Sequence, residues 1–414
     1  MHVMFLHPNF PAQFGLLAHF LSTQLHWNCT YVTSVDTTHL QLPFNHIHYR
    51  LKDNEPQPKV FYNPDSVQGL FDHMAAIYRG LRGVPEMRPD LVVGHMSYGT
   101  MLYLRNLYDC PFVGFYELLP PPFWGEGMVL RKEFPPPEGV RLFNAGYHTF
   151  THLHLHSCDA AYTPTAYQST TCPMEWRHKL RVLPEGIDCQ FFHPRPRPTK
   201  FRDRSFDAST KVVTYVSRGL ESVRGFDIFM RAAKQVSQAR DDVVFLIVGA
   251  ERTNYGHELY HLEGQSFKQW VLSQDDYDPE RFLFLDLIPM TDIAQLFNLS
   301  DVHVSLTVPY TVPTSMLQAM ASGCPVVGSA TAPVQEFLDD GEQGLLADFY
   351  TPDQVAARIL ELLADPERAR QLGTNGRQRI VEGYDLGACL QRLVLFFQEF
   401  RKSVDAKDAV FGAV

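Results

Sequence analysis

The sequence predicts an α/β protein made of two doubly wound, Rossmann-like halves. Three observations carry that expectation. The chain has 414 residues, too long for one ordinary domain and comfortable for two. Short, continuous apolar runs alternate with helix-like runs through both halves. A proline-rich break separates the halves. Continuous apolar runs, unlike alternating ones, suit strands buried on both faces, as in a parallel sheet covered by helices.

In the first half, strands are expected at Val3–Leu6, Thr30–Thr33, Asp90–Gly94, Pro111–Tyr116, Ala160–Thr163 and Leu180–Leu183, with a helix at Leu16–Leu25. The break is His193-Pro194-Arg195-Pro196-Arg197-Pro198, continuing in polar residues to Thr210. Proline at alternate positions suits neither a central strand nor a helix interior, so 194–210 reads as a linker between domains 1–193 and 211–385. The second half predicts strands at Val212–Val216, Val243–Val248, Phe282–Leu287, Val302–Leu306 and Pro325–Gly328. Helices are expected at Phe226–Ala239, from a Thr291 cap to Leu299, at Thr314–Ala321, and from a Thr351 cap to Leu363. The last segment, 386–414, has the pattern of an amphipathic helix.

Composition narrows the function. A net charge of -10 gives no bulk attraction to nucleic acid or anionic lipid. Seven scattered Cys without a C-x-x-C pair suit reduced thiols in a cytoplasmic protein. The start, MHVMFLHPNF, reads as a strand and not as a signal peptide. The sequons at Asn28 and Asn298 then carry no meaning. No run has the length of a membrane span.

Two segments carry chemistry. In VSLTVPYTVPTSMLQAMASGCPVVGS (304–329) a strand ends, a loop follows, and a helix starts at Thr314 and Ser315. A helix N-terminus beyond a parallel strand offers free N–H groups and a favourable dipole to a phosphate. Thr314 or Ser315 is a candidate cap, and a plain structural cap is the competing reading. In VSRGLESVRGF (216–226), Arg218 and Arg224 flank a strand-end loop containing Gly219. Two guanidinium groups there suit a diphosphate, against a pair of solvated surface arginines. Gly249 ends the apolar run Val243–Val248.

LQAMASGCPVVGSATAPVQEFLDDGEQGLL (317–346) resembles glycosyltransferase family 4, the retaining GT-B "group 1" transferases, with their LEAMA-x-G-x-PVV run and E-x-x-x-x-G-x-x-G-x-L pattern. The Arg218…Arg224-Gly225 segment resembles the family's G-R-L-x-x-x-K-G loop with one extra residue. The start HPNFPAQF and the run Gly94-His95…Gly99 resemble a subgroup. The resemblance implies a GT-B fold, two Rossmann-like doubly wound domains facing across a cleft, and retaining transfer from a nucleoside-diphosphate sugar. It implies that Arg218 and Arg224 stabilise the departing diphosphate. Donor contacts would come from Gly219, Gly249, Tyr310, Thr314, Ser315, Met316 and Gln318. Acceptor or cleft contacts would come from Phe10, Gln13, His95 and Glu117. It implies no cofactor and no metal, and a last helix that returns to the first domain. The acceptor (glycan, lipid-linked sugar or small metabolite) and any peripheral membrane contact stay open.

Two positions depart from the family. Where it carries two Glu eight residues apart, this chain has Tyr310 and Gln318. Gln318 offers an uncharged amide oxygen to a ribose, and Tyr310 cannot copy a carboxylate. The departure motivates a second reading, a catalytically degenerate subunit that stabilises a partner transferase. Three further features have milder readings. His148, His152, His154 and His156 are dense but complete no metal motif, so a surface or acceptor-facing cluster is expected. Glu185-Gly186-Ile187-Asp188 reads as an interdomain turn. Pro120–Pro122, Trp124-Gly125 and Pro135–Pro137 read as a stiffened loop.

Overall fold

The computed structural model describes residues 1–50, 66–119 and 130–411, with side chains for all of these except 66–68 and 401–411. The Pro120–Pro122 and Trp124-Gly125 stretches lie outside the described residues. The chain divides into two compact units. Unit 1 is residues 1–128, 138–185 and 388–414, and unit 2 is residues 129–137 and 186–387.

Unit 1 is built on seven parallel strands: β1 (His2–Leu6), β2 (Asn28–Thr33), β3 (Asn45–His48), β4 (Leu91–His95), β5 (Phe112–Phe115), β6 (Ala160–Thr163) and β7 (Leu180–Val182). Their spatial order is β3-β2-β1-β4-β5-β6-β7. Helices α1 (Gly15–Gln24), α2 (Ser66–Arg82), α3 (Glu138–Ser157) and α4 (Ala166–Thr170) lie between strands. Val3, Met4, Phe5 and Leu6 of β1 are all fully buried, as the unbroken apolar run required.

In unit 2 a short hairpin, β8 (Lys200–Phe201) with β9 (Arg204–Ser205), precedes a six-stranded parallel sheet. Its strands are β10 (Lys211–Gly219), β11 (Val243–Ala250), β12 (Phe282–Leu285), β13 (Val302–Ser305), β14 (Val326–Ser329) and β15 (Leu345–Ala347). The order is β12-β11-β10-β13-β14-β15. The helices are α5 (Phe226–Ala239), α6 (Phe267–Leu272), α7 (Met290–Leu299), α8 (Thr314–Ala321), α9 (Ala332–Gln335), α10 (Pro352–Ala364) and α11 (Pro366–Tyr384). A long α12 (Leu386–Phe411) then passes into unit 1. There Phe397 meets the rings of Phe5 and Tyr162, and Glu399 pairs with Arg181 at 2.6 Å.

Several boundaries differ from the sequence expectation. The first unit ends at Glu185, not at 193, because Ile187 bonds to both sides of the α11–α12 junction: its N–H to Tyr384 and its carbonyl to Leu386. Residues 194–210 are not a free linker. Phe201 and Phe206 are buried in the core of unit 2, and Arg197 pairs with Asp301 at 2.8 Å. Residues 129–137, from the middle of the first half, also belong to unit 2. Thr291 does not cap α7, which starts at Met290 after Pro289. Thr351 stands at the cap of α10, but its hydroxyl bonds Asp348 instead of the helix. All seven cysteines are free thiols. Among the described residues no helix is long and apolar enough to cross a membrane.

Candidate functional site

In both units the strand order reverses beside a central strand, at β1/β4 and at β10/β13. Ligands of open parallel sheets bind at such switch points, outside the carboxyl ends of the strands.

In unit 2, β10 runs out at Gly219, and the chain makes a tight turn at Ser222–Arg224 before α5. Gly225 caps α5 at φ +65°, a conformation that favours glycine. Its position also leaves no room for a side chain, since a Cβ would stand 2.9 Å from Leu306. The turn aims Arg224 at the segment after β13. Nη1 of Arg224 donates to Thr307 Oγ1 (2.9 Å) and to the Thr311 carbonyl (2.6 Å), and Nη2 donates to Thr311 Oγ1 (3.0 Å). The guanidinium also stands against the rings of Tyr310 (5.7 Å) and Tyr255 (5.8 Å), which meet each other at 5.3 Å. Five guanidinium N–H groups exist and three are used among the described residues. The charge-bearing group therefore spans the switch point with donors to spare. Arg218 is exposed at the end of β10.

Two buried carboxylates hold this turn. Glu258 accepts from the Ser222 N–H (3.0 Å) and hydroxyl (2.5 Å), and from the Thr253 hydroxyl (2.9 Å). Glu221 Oε2 accepts the backbone N–H groups of Asn254, Tyr255 and Gly256 at 2.8, 2.7 and 3.3 Å. Burial raises the pKa of Glu221, and those backbone donors partly offset the rise. Tyr215 donates to the Arg224 carbonyl at 2.9 Å.

The donor-side residues expected from sequence fare unevenly. Gly219 and Gly249 serve packing. A Cβ on Gly219 would stand 2.4 Å from the Arg252 carbonyl, and one on Gly249 would stand 2.8 Å from Leu220. Neither Thr314 nor Ser315 caps α8. Pro313 holds the cap position without a side-chain bond, and Ser315 Oγ instead donates to the Val216 carbonyl at 2.9 Å. That bond ties the start of α8 to β10. The Met316 N–H is bonded to the Pro313 carbonyl, so only the first N–H groups of the helix stay open to an anion. Met316 itself is buried core. Gln318 is half-buried, and its side-chain amide has no hydrogen-bond partner among the described residues. Tyr310 is buried against Arg224.

In unit 1, His7 follows β1, His95 ends β4 and Glu117 follows β5. The His7 and His95 rings meet at 5.2 Å, and both pack on Tyr98. His95 Nδ1 accepts the Ser97 N–H at 3.3 Å, which caps the short turn Met96–Tyr98. Its Nε2 stands 3.5 Å from Glu117 Oε2. The Nε2 atoms of His7 and His95 are buried without hydrogen-bond partners among the described residues. Burial first, then His95, lowers the His7 pKa to about 2, so its ring is neutral. The backbone carbonyl of Glu117 accepts from Gln168, and its side chain is partly exposed beside His95. Phe10 stacks edge-on against Tyr31 at 5.1 Å and anchors the loop after β1. Gln13 lies beside His7 and acts against the lowering of its pKa.

The histidine cluster of α3 divides by face. His154 is buried and bonded to the Phe150 carbonyl, whereas His152 faces Trp176 and Glu175. Among the described residues no group of three or more metal-ligating side chains forms.

Two doubly wound parallel units, each with polar groups gathered at its switch point, make an α/β protein of the double-Rossmann kind. Residues 196–379 match the model described as "Glycosyl transferases group 1", and residues 26–192 match that described as "Glycosyl transferase family 4 group". The chain belongs to this glycosyltransferase family and has the GT-B fold. Spore coat protein SA of Bacillus subtilis is 26% identical over 240 residues, covering 54% of this chain and 60% of that protein. D-inositol 3-phosphate glycosyltransferase of Segniliparus rotundus is 26% identical over 198 residues, 48% of this chain and 42% of that protein. The chain thus spans about half the length of the curated relatives it matches. The structure of HepE from Anabaena in complex with UDP-glucose superimposes with a TM-score of 0.71, at 16% identity, over 96% of this chain and 100% of that one.

His7, Glu221, Glu258, Tyr255 and Thr311 were not singled out from sequence. Glu221 and Ser222 lie inside the segment already marked by the two arginines, so their signal was present. Glu258 and Tyr255 sit on the loop after β11, where nothing local announced them.

Proposed function

We propose that the protein transfers a sugar from a nucleoside-diphosphate sugar to an acceptor hydroxyl, with retention at the anomeric carbon. The observation that carries this reading is Arg224, held across the β10/β13 switch point with guanidinium donors to spare. In the transfer, the bond from the anomeric carbon to the β-phosphate oxygen breaks. A bond from that carbon to the acceptor oxygen forms, and the hydroxyl proton leaves with the diphosphate or a nearby base. Negative charge grows on the diphosphate as that bond breaks, and fixed cations at this place stabilise the transition state more than the ground state. Arg224, Arg218 and the open first turn of α8 are the groups assigned to the diphosphate, and Gln318 to the ribose. His95 and Glu117 are assigned to the acceptor in unit 1. The family match and the UDP-glucose held by HepE favour this reading over a non-catalytic subunit.

The test is a thermal-shift screen with UDP, GDP, ADP and their sugars, beside an Arg218→Ala variant. One nucleotide is expected to stabilise the protein selectively, and less so in the variant. Anomeric analysis of the product then reads retention. Absence of stabilisation by any of these nucleotides would move the weight to the partner-stabilising subunit.

A further inference from the structure

Residues 130–137 leave the sequence of the first half and fold into unit 2. Arg131 is their centre and is almost fully buried. Nη1 donates to Asp227 Oδ1 at 2.9 Å and Nη2 to Asp227 Oδ2 at 2.8 Å, a two-pronged pair with an equally buried acid. Burial opposes the Arg131 charge, but the bonds and charge of Asp227 more than offset it, and the pKa ends above the usual arginine value. Nη1 also donates to the Ser222 carbonyl at 2.5 Å. Around this contact, Phe134 packs edge-on against Phe267 (5.5 Å) and Trp270 (5.6 Å). Tyr350 donates to the Leu130 carbonyl at 2.5 Å, and His261 bonds the Pro135 carbonyl at 2.9 Å.

The position of the Ser222 bond gives it a consequence. Ser222 opens the Ser222–Arg224 turn, and its three polar groups are all spoken for: the carbonyl by Arg131, the N–H and hydroxyl by Glu258. Two residues later, Arg224 reaches Thr307 and Thr311. A shift of the turn displaces the Arg224 guanidinium directly. We infer that Arg131 is a positioning residue for the diphosphate site, acting through Ser222 on Arg224. A buried ion pair is a weak source of net stability, so its value here lies in fixing one geometry. The inference rests on the donor reading of unit 2.

The experiment measures the dissociation constant of whichever of UDP, GDP or ADP binds the wild type. Two variants are used. Arg131→Lys keeps the charge beside Asp227 but cannot bridge to Ser222 as well. The double variant Arg131→Leu with Asp227→Leu removes the pair without leaving an unpaired buried charge. Each is also made in an Arg224→Ala background. Nucleotide affinity is expected to fall about tenfold or more in both variants. In the Arg224→Ala background the same changes are expected to shift affinity less than twofold, because the path through Arg224 is already lost. Affinity within twofold of wild type in Arg131→Lys overturns the inference. So does an equal loss with and without Arg224, which would mark a purely structural role. If the double variant fails to fold, Arg131→Lys decides alone. If the wild type binds none of the three nucleotides, the donor reading fails first and takes this inference with it.

Discussion

Arg224→Ala separates stability from binding. In the free protein the substitution removes three hydrogen bonds, to Thr307 Oγ1, the Thr311 carbonyl and Thr311 Oγ1. Each contributes a net 0.5–1.5 kcal/mol as a rough central range, and water can reach this half-buried place, so a total loss of about 1–2 kcal/mol is expected. For a unit of this size that lowers Tm by about 2–8 °C. Binding should suffer differently. A phosphate contacted by guanidinium N–H groups gains about 1.5–3 kcal/mol from charge-assisted bonds, which is roughly a 10- to 150-fold change in Kd. Calorimetric titration with a nucleoside diphosphate reads that change. Titration with the matching nucleoside is the control, since it carries no phosphate and should bind both proteins alike. Arg224→Lys keeps the charge without the fork and should fall between the two. A diphosphate Kd within twofold of wild type, in a variant that still unfolds cooperatively, would refute the assignment of Arg224 to phosphate.

Three other outcomes are expected. Gly219→Ala places a Cβ 2.4 Å from the Arg252 carbonyl and forces the loop that carries Tyr255 to move. It should destabilise by about 1–3 kcal/mol in chemical denaturation and weaken nucleotide binding. Glu258→Gln turns one of two acceptor oxygens into a donor facing Ser222 or Thr253, for a loss of about 1–3 kcal/mol on the same assay. Stability should also fall in mild acid. Burial lowers the pKa of His303 to about 3 and of His154 to about 4, so the unfolded chain takes up protons below pH ~6.5 that the folded one refuses. Their contribution is complete above pH ~6.5 and is lost as pH falls toward the folded values. By pH 5 each has forfeited about 2 kcal/mol. Scanning calorimetry of His303→Gln should show a smaller drop between pH 7 and 5 than wild type, and an equal drop would sink the argument.

The sheets were legible because their strands carry an unambiguous signal. Val3–Leu6 and Val243–Val248 are unbroken apolar runs between turn residues, and each became a central or near-central strand. β3, with sequence NHIH, was missed because an edge strand with one partner need not be apolar. The 194–210 stretch misled for a related reason. Its prolines and charges suit a free linker, but Phe201 and Phe206 lie within it and drive it onto the core. In the candidate site, the sequence marks Arg224 because two guanidinium groups on one strand-end loop suit a diphosphate. Gly219 and Gly249 were read as donor contacts, yet the bodies they make room for are Arg252 and Leu220. Arg131 had no signal at all. Its partners Ser222 and Asp227 lie 91 and 96 residues away, and only folding brings them together.

One of the two departures from the family, Tyr310, acquires a physical sense around Arg224. A carboxylate at position 310 would stand beside the guanidinium and cancel much of its field before any phosphate arrived. Tyr310 presents a ring face instead, as Tyr255 does, and the remaining partners are a carbonyl and two hydroxyls. Glu221 lies nearby, but its bonded oxygen is spent on three backbone N–H groups and burial raises its pKa. The acids of this turn bond to the backbone, with Glu221 also feeling the Arg224 charge, and the hydrogen-bond partners of that cation among the described residues are neutral. A guanidinium fixed by neutral partners keeps its charge for an incoming anion, which is the property a diphosphate site requires.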